Sequence, residues 1–301
     1  MSTNGNAFEN TVLLSLDVHK VGDRKTVKAD VVDESVKVES DKTLLKLSKK
    51  VLDCPEYEDV KAVVTQARAY LKARALPAKF IKGGIYPLPL EFVEAAQAKM
   101  EEFQSQFNAA VEKFIGVYAQ RIAEVDARLQ VLANGSDHPS EDAVRQACWF
   151  RWEYVTMGPP GSLQKISADI WAKEKAKAEV KMSEAADEVR QAMREGFAAL
   201  VQHMKDKLAP SEDGKRKVLF GSTVDKFKEF LKDFSAKNIT GDTDLESLVG
   251  KARDLLSGVK VENLRKDDDI RVLVKTEMEA ISTAMNSMLK DSPSRKIDIL
   301  E

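Results

Sequence analysis

The sequence predicts a mainly α-helical fold: a long antiparallel, coiled-coil-like helical arm, a small N-terminal β-hairpin and a C-terminal helical bundle. Three observations predict it. From Leu90 to Leu132 apolar residues fall at Val93, Ala96, Met100, Phe103, Phe107, Val111, Phe114, Tyr118, Ile122, Val125, Leu129 and Leu132, in the three- and four-residue steps of one helix face. A second proline-free run, Leu163 to Leu208, carries an apolar stripe through Met182, Ala186, Val189, Met193, Phe197, Leu200, Met204 and Leu208. The N-terminal region, by contrast, is rich in β-branched residues around a turn, Val21-Gly22-Asp23-Arg24, as a hairpin requires.

Taken in order, Thr11 to Val18 and Thr26 to Val32 are the expected hairpin strands, with Val36-Lys37-Val38 as a local third strand, because a lone hairpin is marginal in water. Ser40 or Asp41 caps a short helix through Leu44, Leu45, Leu47, Val51 and Leu52 that stops before Pro55. A second helix follows, with Val60, Val63, Val64, Ala67, Tyr70 and Leu71 on one face. Phe80 to Pro89 contains two glycines and two prolines and reads as an irregular apolar loop; Gly83 and Gly84 permit positive φ there. A helix over Leu90 to Leu132 would be roughly 65 Å long at 1.5 Å per residue and needs a partner along its length. Its candidate seam is Met100, Phe103, Phe107, Phe114 and Ile122. Asn134-Gly135 stops it.

The segment 134–162 is expected near the tip of the arm, before the second long helix returns antiparallel to the first. It holds the densest aromatic cluster in the chain, Trp149, Phe150, Trp152 and Tyr154, in a sequence with 7% aromatic residues. Packed inside a small cap, these residues need no function; exposed, they are candidate partner-binding anchors. Beyond Pro210, Ser222 starts a helix through Phe234, Asp242 or Thr243 starts another through Leu256, and a last one runs from about Asp268 through Met288. Residues 291–301 read as a tail. Three regions result: a base over 1–89, the arm over 90–208, and a C-terminal helical region with its tail over 209–301.

With 43% apolar and 32% charged residues, 301 positions suffice for a large buried core. Forty-seven basic residues against 49 acidic ones leave a net charge of −2, so no global field attracts nucleic acid or an anionic membrane. Lys215-Arg216-Lys217 and the diffuse set Lys173, Lys175, Lys177 and Lys181 are the basic candidates; Glu174 and Glu179 interleave the latter as on a solvated helix face. No apolar run is long enough to span a bilayer. Cys54 and Cys148 are far apart in sequence, and Met1 to Gly5 lacks the features of a signal peptide. A cytoplasmic protein is expected.

No catalytic, cofactor-binding or metal-ligating residue can be nominated. His19, His138 and His203 have no cysteine or paired acid at ligand spacing. Gly158-Pro159-Pro160-Gly161-Ser162 has the outline of a phosphate loop, but its prolines remove the amide donors a phosphate needs. The expectation is therefore a protein without enzymatic activity, metal or cofactor, with a homo-oligomer compatible with the arm.

Phe80-Ile81-Lys82-Gly83-Gly84-Ile85-Tyr86-Pro87-Leu88-Pro89, followed at once by the long helix, resembles a bacterial and phage family of unknown function. Its members are encoded near MoxR-type AAA+ ATPases and von Willebrand A-domain proteins similar to cobaltochelatase subunits. The likeness covers roughly residues 10–208, including the segment Arg145 to Tyr154. The resemblance implies a non-catalytic accessory component that works with such an ATPase and a von Willebrand A-domain partner. The alternative is a phage or bacterial structural or nucleic-acid-associated assembly protein.

Overall fold

The structure is a computed structural model that describes residues 7–27, 47–77, 81, 83–156, 158, 161–211 and 215–290. The chain is mainly helical with a small antiparallel sheet. Strand β1 (Thr11–His19) is its centre, flanked by β4 (Ile85–Pro89) on one edge and β5 (Trp149–Val155) on the other. Strands β2 (Arg24–Thr26) and β3 (Ser48–Lys50) form a separate two-stranded ribbon.

This arrangement corrects the hairpin expectation. Among the described residues β1 does not pair with the segment that follows it; it buries Leu13, Leu14 and Leu16 and takes strands on both edges from about 70 and 140 residues downstream. A strand this apolar is stable only as a central one, and no local turn could supply both flanks. Residues 48–50 are a strand and not the end of a helix, since a short apolar run does not fix its own period. The expected strands over residues 28–32 and 36–38, the start of that helix at Ser40 or Asp41, and the tail lie outside the described residues.

Ile85 to Pro89 is likewise a strand and not an irregular loop. Its prolines fit because β4 is an edge: the Pro87 carbonyl points away from β1 and accepts the Leu76 N–H at 2.8 Å. Gly84, at φ 92°, turns the chain into this strand, and its carbonyl accepts the Leu16 N–H at 2.8 Å.

Helix α1 (Pro55–Arg74) starts with proline in its first turn, carries Glu56 and Glu58 there, and ends with Lys72 and Arg74, each charge matched to the helix dipole. It packs its face of Tyr57, Val60, Val64, Ala67 and Leu71 against helix α2 (Val93–Leu129). At 1.5 Å per residue α2 is about 55 Å long. Met100, Phe103, Phe107 and Phe114 are buried on it and Ile122 is half-buried, and the ring pairs Tyr57–Phe114 at 5.0 Å and Phe107–Phe150 at 5.8 Å tie it to α1 and to β5.

The second long run is interrupted. α4 (Ser162–Ile166) stops at Ser167, whose hydroxyl accepts the Ile170 N–H at 3.3 Å and so caps α5 (Ala168–Leu208). From Ala185 onward α5 buries its stripe against α6 (Gly221–Lys237), α7 (Thr243–Leu256), α8 (Val261–Lys266) and α9 (Asp268–Lys290).

The two long helices therefore line different hydrophobic cores, in place of the antiparallel pairing expected of a coiled-coil arm. Their apolar stripes are each as wide as a globular core demands, and nearer elements cover them. Among the described residues, contacts of two kinds join the halves. Phe8 and Leu76 enter the C-terminal core, and the ammonium of Lys237 donates to the Ala73 carbonyl at 2.5 Å.

Candidate interaction site

The sequence-predicted aromatic residues all lie on β5, and the alternation of a strand divides them. Phe150 is buried among the α2 side chains, Trp152 is half-buried beside it, and Tyr154 is 43% exposed at the rim. Trp149 points to the opposite face, where it stacks on His19 with ring centroids 5.8 Å apart and receives the Arg151 guanidinium at 4.8 Å from its ring centre. The four residues are thus brought onto one strand but not onto one surface. The segment 134–162 folds back onto the base by way of α3 (Glu141–Ala147) and β5.

Two glutamines of α2 hold this strand. The side-chain carbonyl of Gln97 accepts the Trp152 indole N–H at 3.0 Å and the Tyr154 hydroxyl at 3.2 Å. Gln104 donates its amide to the Phe150 carbonyl at 2.7 Å. That bond fixes the strand's orientation: the backbone polar groups of Phe150, and by alternation those of Trp152 and Tyr154, face away from β1. Gly84 gives the same answer from the other side, because Leu16 turns its N–H toward β4 and leaves Ser15, Asp17 and His19 to pair with β5. β5 is therefore an edge strand, covered at Phe150, which is 2% exposed, while no described residue bonds the backbone N–H of Trp152 or Tyr154. Sequence reasoning missed Gln97, Gln104, Arg151 and Glu153. The cue was present, since Trp-Phe-Arg-Trp-Glu-Tyr-Val holds five strand-favouring residues with Arg151 and Glu153 at alternate places.

A second exposed element is the start of α5. No residue from Ala168 to Glu184 is buried, while Ile166, Ile170 and Val180 are exposed by 76%, 49% and 59%. Lys177 pairs with Glu174 at 2.6 Å and Lys175 with Glu179 at 4.0 Å, so the lysines of this stretch share their surface with carboxylates. In the other basic candidate, Arg216 is engaged with Asp268 and with the Arg265 carbonyl.

The histidines are spread out. His19 bonds the Ala147 carbonyl through Nδ1, His138 meets Asp126 at 2.9 Å, and His203 is exposed on α5. Among the described residues no three His, Cys, Asp or Glu side chains are grouped to hold a metal ion. Cys54 and Cys148 are buried, which pushes both thiols above their ordinary range and makes them poor nucleophiles at neutral pH. No helix among the described residues is long and apolar enough to cross a membrane.

The fold and its open aromatic edge define a class: a mainly helical protein in which two hydrophobic cores are built around two long helices and a three-stranded sheet braces the first. Within that class the chain belongs to the family described as protein of unknown function (DUF3150), whose model matches residues 8–215. Comparison with curated proteins and with solved structures finds no match.

Proposed function

We propose that the protein is a non-catalytic interaction component, an accessory to a MoxR-type AAA+ ATPase and a von Willebrand A-domain partner. The observation that carries the reading is the bare first half of α5. Seventeen consecutive helical residues without a buried side chain, with Met182 packed only partly against the C-terminal core, gain little from packing, and a free helix of that length is marginal in water even with good helix formers. A helix presented in this way, with Ile170 and Val180 exposed along it and Ile166 exposed just before its cap, is suited to lie in an apolar groove of another protein. The loop and long-helix resemblance supports an ATPase system as the source of that groove.

The test is a binding titration of the purified chain with a MoxR-type AAA+ ATPase and a von Willebrand A-domain protein from the same genome. Binding that falls at least about tenfold in Ile170→Asp, with an unchanged melting curve, supports the reading. Absence of binding to both proteins, with and without nucleotide, rejects it.

A further inference from the structure

We propose that β5 pairs antiparallel with β5 of a second copy, Trp152 facing the partner's Trp152, so that two three-stranded sheets join into one of six strands. β5 is the outer strand of its sheet; the Gln104 bond shows that its Phe150 carbonyl faces outward, and although Phe150 itself is covered at 2% exposure, a carbonyl with two lone pairs can accept an inter-strand N–H without losing that glutamine. Main-chain bonds give such a contact its strength, and side chains select the partner.

The side chains select a copy of this chain. With the two-fold axis at Trp152, Arg151 stands opposite the partner's Glu153 and Glu153 opposite the partner's Arg151. Trp149 meets the partner's Val155, and on the inner face Phe150 meets the partner's Tyr154. Moving the axis by one residue sets Arg151 against the partner's Arg151 or Glu153 against the partner's Glu153, which cross-strand pairing disfavours. Only the central register pairs both charges with their opposites. Neither Arg151 nor Glu153 forms an ion pair with another described residue and both are exposed; Arg151 rests on the Trp149 ring, a contact that leaves its guanidinium able to meet a carboxylate. The proposal is independent of any ATPase.

Sedimentation velocity and native mass spectrometry of the full chain test it through reciprocal charge changes. The wild type is expected to dimerise. Arg151→Glu and Glu153→Arg, each alone, put like charges face to face twice and should raise the dimer Kd at least about tenfold. Mixed in equal amounts, the two variants place glutamates opposite arginines at both sites and should form the heterodimer. The chain carrying both changes should recover the homodimer. Circular dichroism spectra matching the wild type establish that each variant is folded; both positions are exposed, so folding should survive. A wild type that stays monomeric up to several hundred micromolar overturns the proposal. So does a dimer indifferent to the single changes, or a mixture in which the variants fail to pair.

Discussion

Arg121 holds Glu56 through two parallel hydrogen bonds, Nε to Oε2 at 3.1 Å and Nη2 to Oε1 at 2.8 Å, and so joins the last third of α2 to the first turn of α1 across 65 residues of sequence. The bidentate guanidinium holds the Glu56 carboxyl well below its ordinary value, at about 2. A depressed carboxylate contributes stability that is complete above the unfolded-state pKa and disappears as pH falls through the folded-state value. Wild type should therefore exceed Glu56→Gln in melting temperature by a constant margin above about pH 5, and the margin should close between about pH 4.5 and pH 2. Parallel pH-dependent melts check the slope; a margin that persists at pH 2 would show that Glu56 acts by something other than charge.

Phe107 is fully buried where α2 meets β5, in ring contact with Phe150. Its replacement by alanine should cost about 3–5 kcal/mol, the transfer of a phenyl ring plus the cavity it leaves. Urea denaturation followed by circular dichroism measures this. A loss under 1 kcal/mol would mean that the core closes over the gap.

Asp242 is buried, caps α7 by accepting the Leu245 N–H at 3.1 Å, and takes both prongs of Arg194 at 2.6 and 3.0 Å. Burial raises its carboxyl, but Arg194 and the cap outweigh that and hold it below the usual carboxylate range. Asp242→Ala strands the partly buried Arg194 charge and removes the cap together, for an expected loss of about 3 kcal/mol. Asp242→Asn, which retains a capping oxygen, should lose less. Equal losses for the two would assign the whole effect to the charge.

Gly84 sits at φ 92°, and a Cβ there would stand 3.4 Å from the Leu16 carbonyl oxygen. Gly84→Ala is expected to cost about 1–2 kcal/mol through the left-handed backbone alone. Gly83 has open space around its Cβ position, so Gly83→Ala should be near neutral. Chemical denaturation of the pair distinguishes conformational strain from a general need for a flexible loop.

Helical periodicity was legible in the sequence because it is local. The faces of α2 and of the later part of α5 follow from side-chain spacing, and Ser222, Asp242 and Asp268 mark helix starts to within a residue or so. What the stripes pack against was not legible, since Phe107 would read the same whether it faced a second rod or, as it does, Phe150 of a strand. The sheet was missed for the same reason: β1 chooses partners far along the chain, and only the assembled fold makes room for Pro87 and Pro89 on an edge. The aromatic segment stood out by composition, but its division between an inner face of Phe150 and Trp152 and an outer face of Trp149 needed the strand.

The family match stops at residue 215, yet the stripe of α5 through Val189, Met193, Phe197, Val201 and Met204 is covered by Val224, Phe227, Leu231, Met278 and Ile281 from beyond that point. Phe197 alone meets Phe227 at 5.9 Å and Phe230 at 5.7 Å. The matched segment and the unit of folding thus have different boundaries in this chain. A product ending at 215 would present half a core to water and would aggregate or be degraded.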